Sequence, residues 1–285
     1  MRVGVIGRTT RQAHEVTPQT AADLRAQGFT GCHWTLTQPI SADEGALRRV
    51  RDVLADGGVR VAQAVPRNVD LVSKDEALQR QAIHELELCC KATRVLGAAS
   101  LYVRPGSLNS TGSWRPHPEN TRLETLERLI RGLRQVAKVA ESEGVVLALE
   151  GAAVSPLDTP ERVRDVIEAV GSPALGFCVD AVNFVRGLDE LFNTTSLIHK
   201  LYDLCGRYAV AVHAKDLTFE NAATVKMSEC IIGEGFIDMP LVLRRFQEVC
   251  PDGYVLIEHL PDEKVPAAKR GLDAALEHAG LRWQE

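Results

Sequence analysis

The sequence predicts a single (β/α)8 barrel, in which eight parallel strands are enclosed by a ring of helices. Short runs rich in β-branched residues alternate with longer amphipathic stretches along all 285 residues. Strands separated by helices must be parallel, because a tight hairpin cannot connect them. Eight such units of roughly 36 residues suit a closed barrel, which is typically about 250 residues long. An open doubly wound sheet is disfavoured because the first strand is followed by Gly7-Arg8-Thr9-Thr10 instead of a GxGxxG turn.

The strands follow one another without a linker or a shift in composition, so we expect one domain over residues 1–285. The eight predicted strands are Arg2–Ile6, Gly31–Leu36, Val59–Val65, Ser100–Arg104, Val145–Glu150, Leu175–Val179, Ala209–Ala214 and Tyr254–Glu258.

Capping signals predict where the helices begin and end. Thr17 and Thr159 each precede a proline, which is the pattern of an N-cap followed by the first helical residue. Apolar residues recur every three or four positions over 123–140, as in an amphipathic helix. Two pairs have capping-box spacing, Ser41 with Glu44 and Ser73 with Glu76, and three glycines are placed to end helices, Gly28, Gly144 and Gly171.

Two long irregular stretches interrupt the repeat, Pro105–Pro118 after the fourth strand and Leu217–Gly235 after the seventh. Both follow the carboxyl ends of strands, the face at which barrel enzymes build their active sites. They are interpreted either as lids over a site or as simple surface loops.

The composition narrows the classes of function. The chain is 45% hydrophobic and 25% charged with a net charge of −5, so we expect no nucleic-acid partner. No apolar run approaches the ~18 residues of a membrane span. Seven scattered cysteines without framework spacing indicate reduced thiols in a cytoplasmic protein.

Four residues of metal-ligand type end four consecutive predicted strands: Glu150, Asp180, His213 and Glu258. Side chains alternate across a strand, so each of these shares its orientation with the residue two positions earlier. Those companions are mostly small, namely Ala148, Cys178, Ala211 and Leu256. The opposite positions are large and branched, as expected under the helices: Leu149, Val179, Val212 and Ile257. We therefore expect all four polar residues to point into the mouth of the barrel.

Three converging carboxylates repel one another unless a cation lies between them. A carboxylate-rich set with one imidazole suits one divalent ion, Mn²⁺, Mg²⁺, Co²⁺ or Zn²⁺. The alternative is that each residue is an independent, solvated strand end or helix cap.

Several motifs together resemble the sugar phosphate isomerase/epimerase family of xylose isomerase-like barrels. They are Leu147–Gly151, Asp180 with Asn183, His213-Ala-Lys215-Asp216, Gly233-Glu-Gly-Phe-Ile237 and Ile257-Glu258-His259. The resemblance covers mainly residues 145–260. It implies that Glu150, Asp180, His213 and Glu258 hold one metal ion and that Glu150 and Glu258 also act as general acid and base. Two positions depart from the family, since Asn183 replaces a histidine and Phe219 replaces an arginine found in some members.

Further substrate contacts are expected around these ligands. Asn183 and Lys215 follow from the resemblance, although Lys215 is equally interpreted as a rim ion pair with Asp216. Gln63 and Arg104 end the third and fourth strands, and Arg104 suits an anionic substrate or a neighbouring carboxylate. His33 and Trp34 end the second strand, where alternation lets one of them face the mouth.

The resulting hypothesis is a divalent-metal-dependent isomerase or epimerase of a small sugar, ketose or inosose-like substrate, acting through an enediolate. A dehydratase or lyase on a related keto-polyol is the near alternative, and a non-catalytic sugar-binding barrel is the alternative from another class. A nuclease like endonuclease IV is disfavoured because the third and fourth strands offer no histidine ligand. The chain is expected to act on a small carbohydrate without a membrane or nucleic-acid partner, and a homo-oligomer is left open.

Overall fold

The computed structural model describes residues 1–9, 12–37, 43–67 and 69–284, and its main feature is a closed barrel of eight parallel strands. Neighbours around the barrel follow chain order, and the last strand pairs with the first. This confirms the predicted (β/α)8 fold. The barrel strands are β1 (Arg2–Val5), β2 (Gly31–Leu36), β3 (Arg60–Pro66), β4 (Leu101–Val103), β5 (Leu147–Leu149), β6 (Leu175–Val179), β7 (Ala209–Ala214) and β10 (Tyr254–Ile257).

Glu150 and Glu258 lie one residue beyond their strands, because β5 and β10 end one residue earlier than predicted, whereas Asp180 follows β6 as predicted. Glu150, Asp180 and Glu258 directly follow β5, β6 and β10, whereas His213 lies within β7. All four therefore lie at the carboxyl end of the barrel, the end at which such barrels carry their sites.

Helices connect the strands on the outside of the barrel. Thr17 and Thr159 are N-caps as predicted, and Thr159 Oγ1 accepts a hydrogen bond from Arg162 N at 3.3 Å. Gly28, Gly144 and Gly171 have φ values of 81°, 66° and 70°, which confirms their left-handed role at helix ends. The helices are α1 (Pro18–Ala26), α2 (Glu44–Asp56), α3 (Glu76–Leu96), α4 (Leu123–Glu143), α5 (Pro160–Val170), α6 (Leu188–Leu191), α7 (Thr194–Cys205), α8 (Met239–Val249) and α9 (Val265–His278).

The predicted capping box at Ser73 is wrong, because Asp75 caps α3. The Asp75 carboxylate accepts from Ala77 N at 2.7 Å, while Ser73 Oγ accepts from Asp75 N at 3.2 Å and so supports the cap. A charged acceptor makes the stronger bond to the free N–H groups of a helix start. The other predicted box begins at Ser41, which lies outside the described residues; α2 begins after Asp43.

The stretch after β7 is more regular than predicted. It forms an antiparallel hairpin of β8 (Asp216–Phe219) and β9 (Met227–Cys230) beside the barrel mouth. The sequence did not reveal this hairpin because its strands are four residues each and only partly buried, without an alternating apolar face. The stretch after β4 carries neither helix nor strand between Pro105 and Pro118, as expected.

Side-chain alternation along the strands separates two apolar layers. Ala148, Cys178 and Ala211 form a small cluster inside the barrel, and Leu256 packs in a second inner cluster with Tyr254. Leu149, Val179, Val212 and Ile257 belong to the large layer between barrel and helices. The predicted orientations are thereby confirmed. None of the helices in the described part of the chain is long and apolar enough to span a membrane.

Candidate functional site

Glu150, Asp180, His213 and Glu258 converge at the carboxyl end of the barrel. One ligand atom from each lies within 4.8 Å of those of the other three, and all four residues are buried, with Glu258 the most exposed at 9%. Adjacent strands carry them, and the small residues beneath them leave room for the polar side chains to meet. The sequence pattern thus brings together four side chains that are far apart in the chain.

Gln63 fixes the orientation of the His213 ring. Gln63 is completely buried, and its Oε1 lies 2.9 Å from His213 Nε2. An amide oxygen can only accept, so Nε2 carries the proton and the lone pair of the neutral ring is on Nδ1. His213 Nδ1 faces Glu150 Oε1 at 2.8 Å and Glu258 Oε2 at 3.0 Å. Gln63 therefore positions the ring of a candidate ligand.

The contacts among the four residues are close but poorly directed for hydrogen bonding. Glu150 Oε1, Asp180 Oδ2, His213 Nδ1 and Glu258 Oε2 are buried atoms without an aligned hydrogen-bond partner among the described residues. A buried polar atom that lacks a hydrogen bond is costly, and a divalent ion satisfies carboxylate oxygens and an imidazole nitrogen together. The donor set and its undirected contacts therefore fit a divalent metal ion.

Lys215 supplies a second positive charge next to the carboxylates. Its Nζ lies 2.7 Å from Asp180 Oδ2 and 3.0 Å from Glu258 Oε2, and the residue is buried. The alternative prediction of a rim ion pair between Lys215 and Asp216 is wrong, because alternation along the chain turns these neighbours to different sides.

Asp216 instead holds the loop that follows β9. Its two carboxylate oxygens accept hydrogen bonds from four backbone N–H groups at 2.8–3.0 Å, those of Leu217, Gly233, Gly235 and Ile237. The Gly-Glu-Gly segment therefore wraps a buried carboxylate, and a Cβ at position 235 would lie 2.3 Å from Asp216 Oδ1. The motif that ends in Asp216 and the Gly-Glu-Gly motif therefore occur together because the second wraps the carboxylate that the first supplies.

Burial and the neighbouring charges strongly shift the pKa values of the side chains in the cluster. Burial raises the pKa of Asp180 to about 6, with Lys215 opposing and the other two carboxylates assisting. Burial also disfavours ionised Glu258, but the charges of His213 and Lys215 outweigh this effect and hold its pKa well below the usual value. Burial opposes protonation of His213 as well, yet Cys178 and the carboxylates of Glu258 and Glu150 raise its pKa well above that of a free imidazole. Glu258 is therefore a carboxylate at neutral pH.

Tyr102 is a member of the site that the sequence analysis missed. Its hydroxyl donates to Glu150 Oε2 at 2.5 Å, and its ring centroid lies 5.4 Å from that of His213. Burial raises the pKa of Tyr102 well above the usual value, so the hydroxyl keeps its proton. Tyr102 lies two residues before Arg104, so the alternation argument would have placed both on the same side had it been applied to β4.

A cavity of about 300 Å³ opens above the cluster. His33, Gln63 and Arg104 line it, together with Tyr102, His213 and Glu258. Trp34 packs in the apolar layer behind the barrel with 3% of its surface exposed, so of the two residues at the end of β2 it is His33 that faces the cavity. Asn183 is not among the described residues that line this cavity, and its backbone N donates to Asp180 Oδ1 at 3.4 Å.

His259 lines the cavity next to Glu258, and Phe219 ends β8. His259 Nε2 lies 3.3 Å from Glu258 Oε1 and its Nδ1 lies 3.1 Å from Glu229 Oε1, as expected for a residue that braces the rim. Its φ of 61° is the single positive value outside glycine in the described part of the chain. Phe219 packs against Phe192 and Phe236, with ring centroids 5.6 and 5.7 Å away.

The fold and the site define a (β/α)8 barrel with a candidate divalent-metal centre at its carboxyl end. The chain belongs to the xylose isomerase-like TIM barrel family, whose sequence model matches residues 21–279. This confirms the resemblance seen in the motifs.

Two curated proteins share local sequence similarity with the chain. A 3-oxo-isoapionate decarboxylase of Pectobacterium atrosepticum is 32% identical over 90 residues, which are 29% of this chain and 30% of that protein. A 2-epi-5-epi-valiolone 7-phosphate 2-epimerase of Actinoplanes sp. is 42% identical over 71 residues, 25% of this chain and 24% of that protein. The matches thus span less than a third of either relative.

Among solved structures, a xylose isomerase-like TIM barrel protein of Mycobacterium smegmatis in complex with magnesium shares the fold. Its TM-score is 0.74 at 16% identity, over 97% of this chain and 95% of that one.

Proposed function

We propose that this protein is a divalent-metal-dependent isomerase or epimerase of a small sugar or sugar-like ketone. The observation that carries the proposal is the convergence of four buried ligand-type side chains beneath a 300 Å³ cavity. Family membership and the relative named as an epimerase of a cyclic sugar-like phosphate support it.

The metal would be held by Glu150, Asp180, His213 through Nδ1, and Glu258, since their atoms converge and lack directed hydrogen bonds. The relative solved with magnesium supports a divalent ion, and Mn²⁺, Co²⁺ and Zn²⁺ also suit this donor set. When bound, such an ion polarises a carbonyl and stabilises the negative charge that develops on its oxygen.

Glu258 is the proposed general base. It lines the cavity and stays ionised at neutral pH, and its Oε1 lies on the side of His259 while Oε2 contacts His213 and Lys215. It would take the proton from the carbon next to the carbonyl, a step in which a positioned base typically contributes about 10²–10⁴-fold.

Glu150 is the proposed second acid/base group, which returns the proton at the same or the neighbouring carbon. It lies deeper than Glu258, and the Tyr102 hydroxyl on the cavity wall donates to its Oε2. Tyr102 therefore positions Glu150 and shields it from water.

The remaining predicted substrate contacts differ in where they lie, some on the cavity wall and others bonded to the proposed metal ligands. His33 and Arg104 lie on the cavity wall and remain proposed substrate contacts. Gln63 and Lys215 are bonded to the ligands, so we propose that they position His213, Asp180 and Glu258. Trp34 packs in the apolar layer outside the barrel, and Asn183, whose backbone N donates to Asp180, stays a predicted substrate contact.

A metal-dependent lyase is the second candidate, favoured by the similarity to a decarboxylase. Removal of CO₂ or water next to a polarised carbonyl passes through the same kind of enolate, so the same residues suit it. The products distinguish the two candidates.

The test is hydrogen exchange in D₂O with protein reconstituted with Mn²⁺ and a panel of ketoses and cyclic keto-polyols. We expect deuterium at the carbon next to the carbonyl, measured by NMR, and at least a hundredfold loss of exchange rate in Glu258→Gln. Glu234→Gln is the matched control, because this exposed carboxylate lies on a loop at the same end of the barrel.

Three other results would each contradict part of the proposal. Undiminished exchange in Glu258→Gln would remove this residue from the role of base. Release of CO₂ or water would favour the lyase. Sugar binding without any exchange would favour a non-catalytic binding barrel.

A further inference from the structure

Two arginines lie on the β3–β4 side of the cavity without a carboxylate to neutralise them. Arg67 directly follows β3 and Arg104 directly follows β4, and both line the cavity. Within the described ranges 1–9, 12–37, 43–67 and 69–284, neither forms an ion pair with an acidic side chain.

Most hydrogen-bond donors of Arg104 remain available. Its guanidinium carbon lies 5.0 Å from the centroid of the Tyr102 ring, and Nη1 donates to Pro66 O at 3.3 Å. Its Nε is buried without a hydrogen-bond partner in the described residues. A guanidinium has five N–H donors in a rigid fork, so Arg104, which lines the cavity, has donors left for an oxyanion.

The charges around the cavity also leave an excess of positive charge. Among its described lining residues Glu258 is the sole carboxylate. The three clustered carboxylates are balanced by Lys215 and one divalent ion, if His213 binds that ion as a neutral ring. The positive charges of the exposed Arg67 and of Arg104 are then left over, with Glu258 the one carboxylate among the described residues of the cavity wall.

We propose that Arg67 and Arg104 form a subsite for an anionic group, a phosphate monoester or a carboxylate, carried by the sugar-like substrate. Planar N–H pairs match the paired oxygens of both groups. The cavity is at the small end of the range for ligand pockets, which suits a compact substrate with one such group. This inference rests on the proposed activity of the same cavity and narrows its substrate class.

The test is calorimetric binding to the Mg²⁺-reconstituted protein, so that it does not depend on turnover. The probes are D-ribulose 5-phosphate against D-ribulose, D-fructuronate against D-fructose, and inorganic phosphate alone. The anionic member of at least one sugar pair should bind tenfold or more tightly, and the advantage should shrink as salt is raised. The phosphate pair and the carboxylate pair distinguish the two kinds of anion.

Arg104→Gln and Arg67→Gln should each remove most of this advantage, lowering the affinity for the anionic sugar at least tenfold more than the affinity for its neutral counterpart. The matched control is Arg8→Gln, because Arg8 follows β1 at the same end of the barrel but is already paired with Asp262 at 3.0 Å. If no sugar binds, the binding of inorganic phosphate is the deciding measurement. A tenfold loss of phosphate affinity in Arg104→Gln then supports the subsite.

Equal affinity for anionic and neutral sugars would overturn the subsite, as would an advantage that survives both substitutions. Where no sugar binds, phosphate binding that is absent or insensitive to Arg104 would also overturn it. These outcomes are independent of the proposed isomerase activity, which the D₂O exchange experiment tests separately.

Discussion

Gln63 offers a sharp test of the proposed metal site, because it contacts the proposed ligand His213 and is completely buried. In Gln63→Leu the His213 Nε2–H loses its buried acceptor at 2.9 Å. Leaving such a donor unsatisfied costs about 1–3 kcal/mol. The ring then gains by turning or by moving its proton to Nδ1, which is the nitrogen that faces Glu150 and Glu258. We expect metal affinity to fall about 10–100-fold, the usual effect of losing a partner of a ligating histidine.

The assay is calorimetric titration of the metal-free protein with Mn²⁺. Gln63→Glu is the informative control, since its carboxylate keeps an acceptor for Nε2–H and should restore most of the affinity. Thermal unfolding of both variants shows whether the barrel is intact. Wild-type affinity in Gln63→Leu would refute the assignment of Nδ1 as the ligand atom oriented by Gln63.

Three further predictions concern Tyr102, Asp216 and pH. Tyr102→Phe removes the donor to Glu150 Oε2, so the exchange rate in D₂O should fall about tenfold while Mn²⁺ affinity changes little, and an unchanged rate would contradict the positioning role. Asp216→Ala leaves four backbone N–H groups without their acceptor and should lower the free energy of unfolding by about 3 kcal/mol or more, whereas the exposed Asp252→Ala should cost under about 0.5 kcal/mol. Equal urea midpoints for these two variants would count against the Asp216 account. Metal affinity should rise with pH by up to about tenfold per unit near neutrality, because the raised pKa of His213 means that binding at Nδ1 must displace a proton. Competition titrations at pH 6, 7 and 8 measure the slope, and a pH-independent affinity would show that no proton is released.

The sequence predicted the part of the site that depends on strand geometry. Glu150, Asp180, His213 and Glu258 could be placed together because each ends an apolar strand and because alternation decides which way it points. The same rule explains why Leu149 and Val179 lie under the helices.

The rest depends on contacts that strand geometry does not determine. Lys215 was ambiguous because a lysine reaches several carboxylates, and its pairing with Asp180 follows from the curvature of the closed barrel. Asp216 resembled a rim charge, since nothing in the sequence shows that a loop some twenty residues later, which includes Gly235, returns to wrap it. Similarly, β2 has an irregular register between Cys32 and His33, and sequence alternation alone could not choose between His33 and Trp34.

The central claim is that the four converging side chains hold one divalent ion, and elemental analysis of the reconstituted, desalted protein tests it most directly. The protein is loaded separately with Mn²⁺, Mg²⁺, Co²⁺ and Zn²⁺, and His213→Ala is measured alongside after its circular dichroism has shown that the barrel is folded. The account predicts one tightly held ion per chain for at least one of these metals, lost in His213→Ala. The absence of a bound ion under every condition, or one that persists in the folded His213→Ala variant, would contradict it.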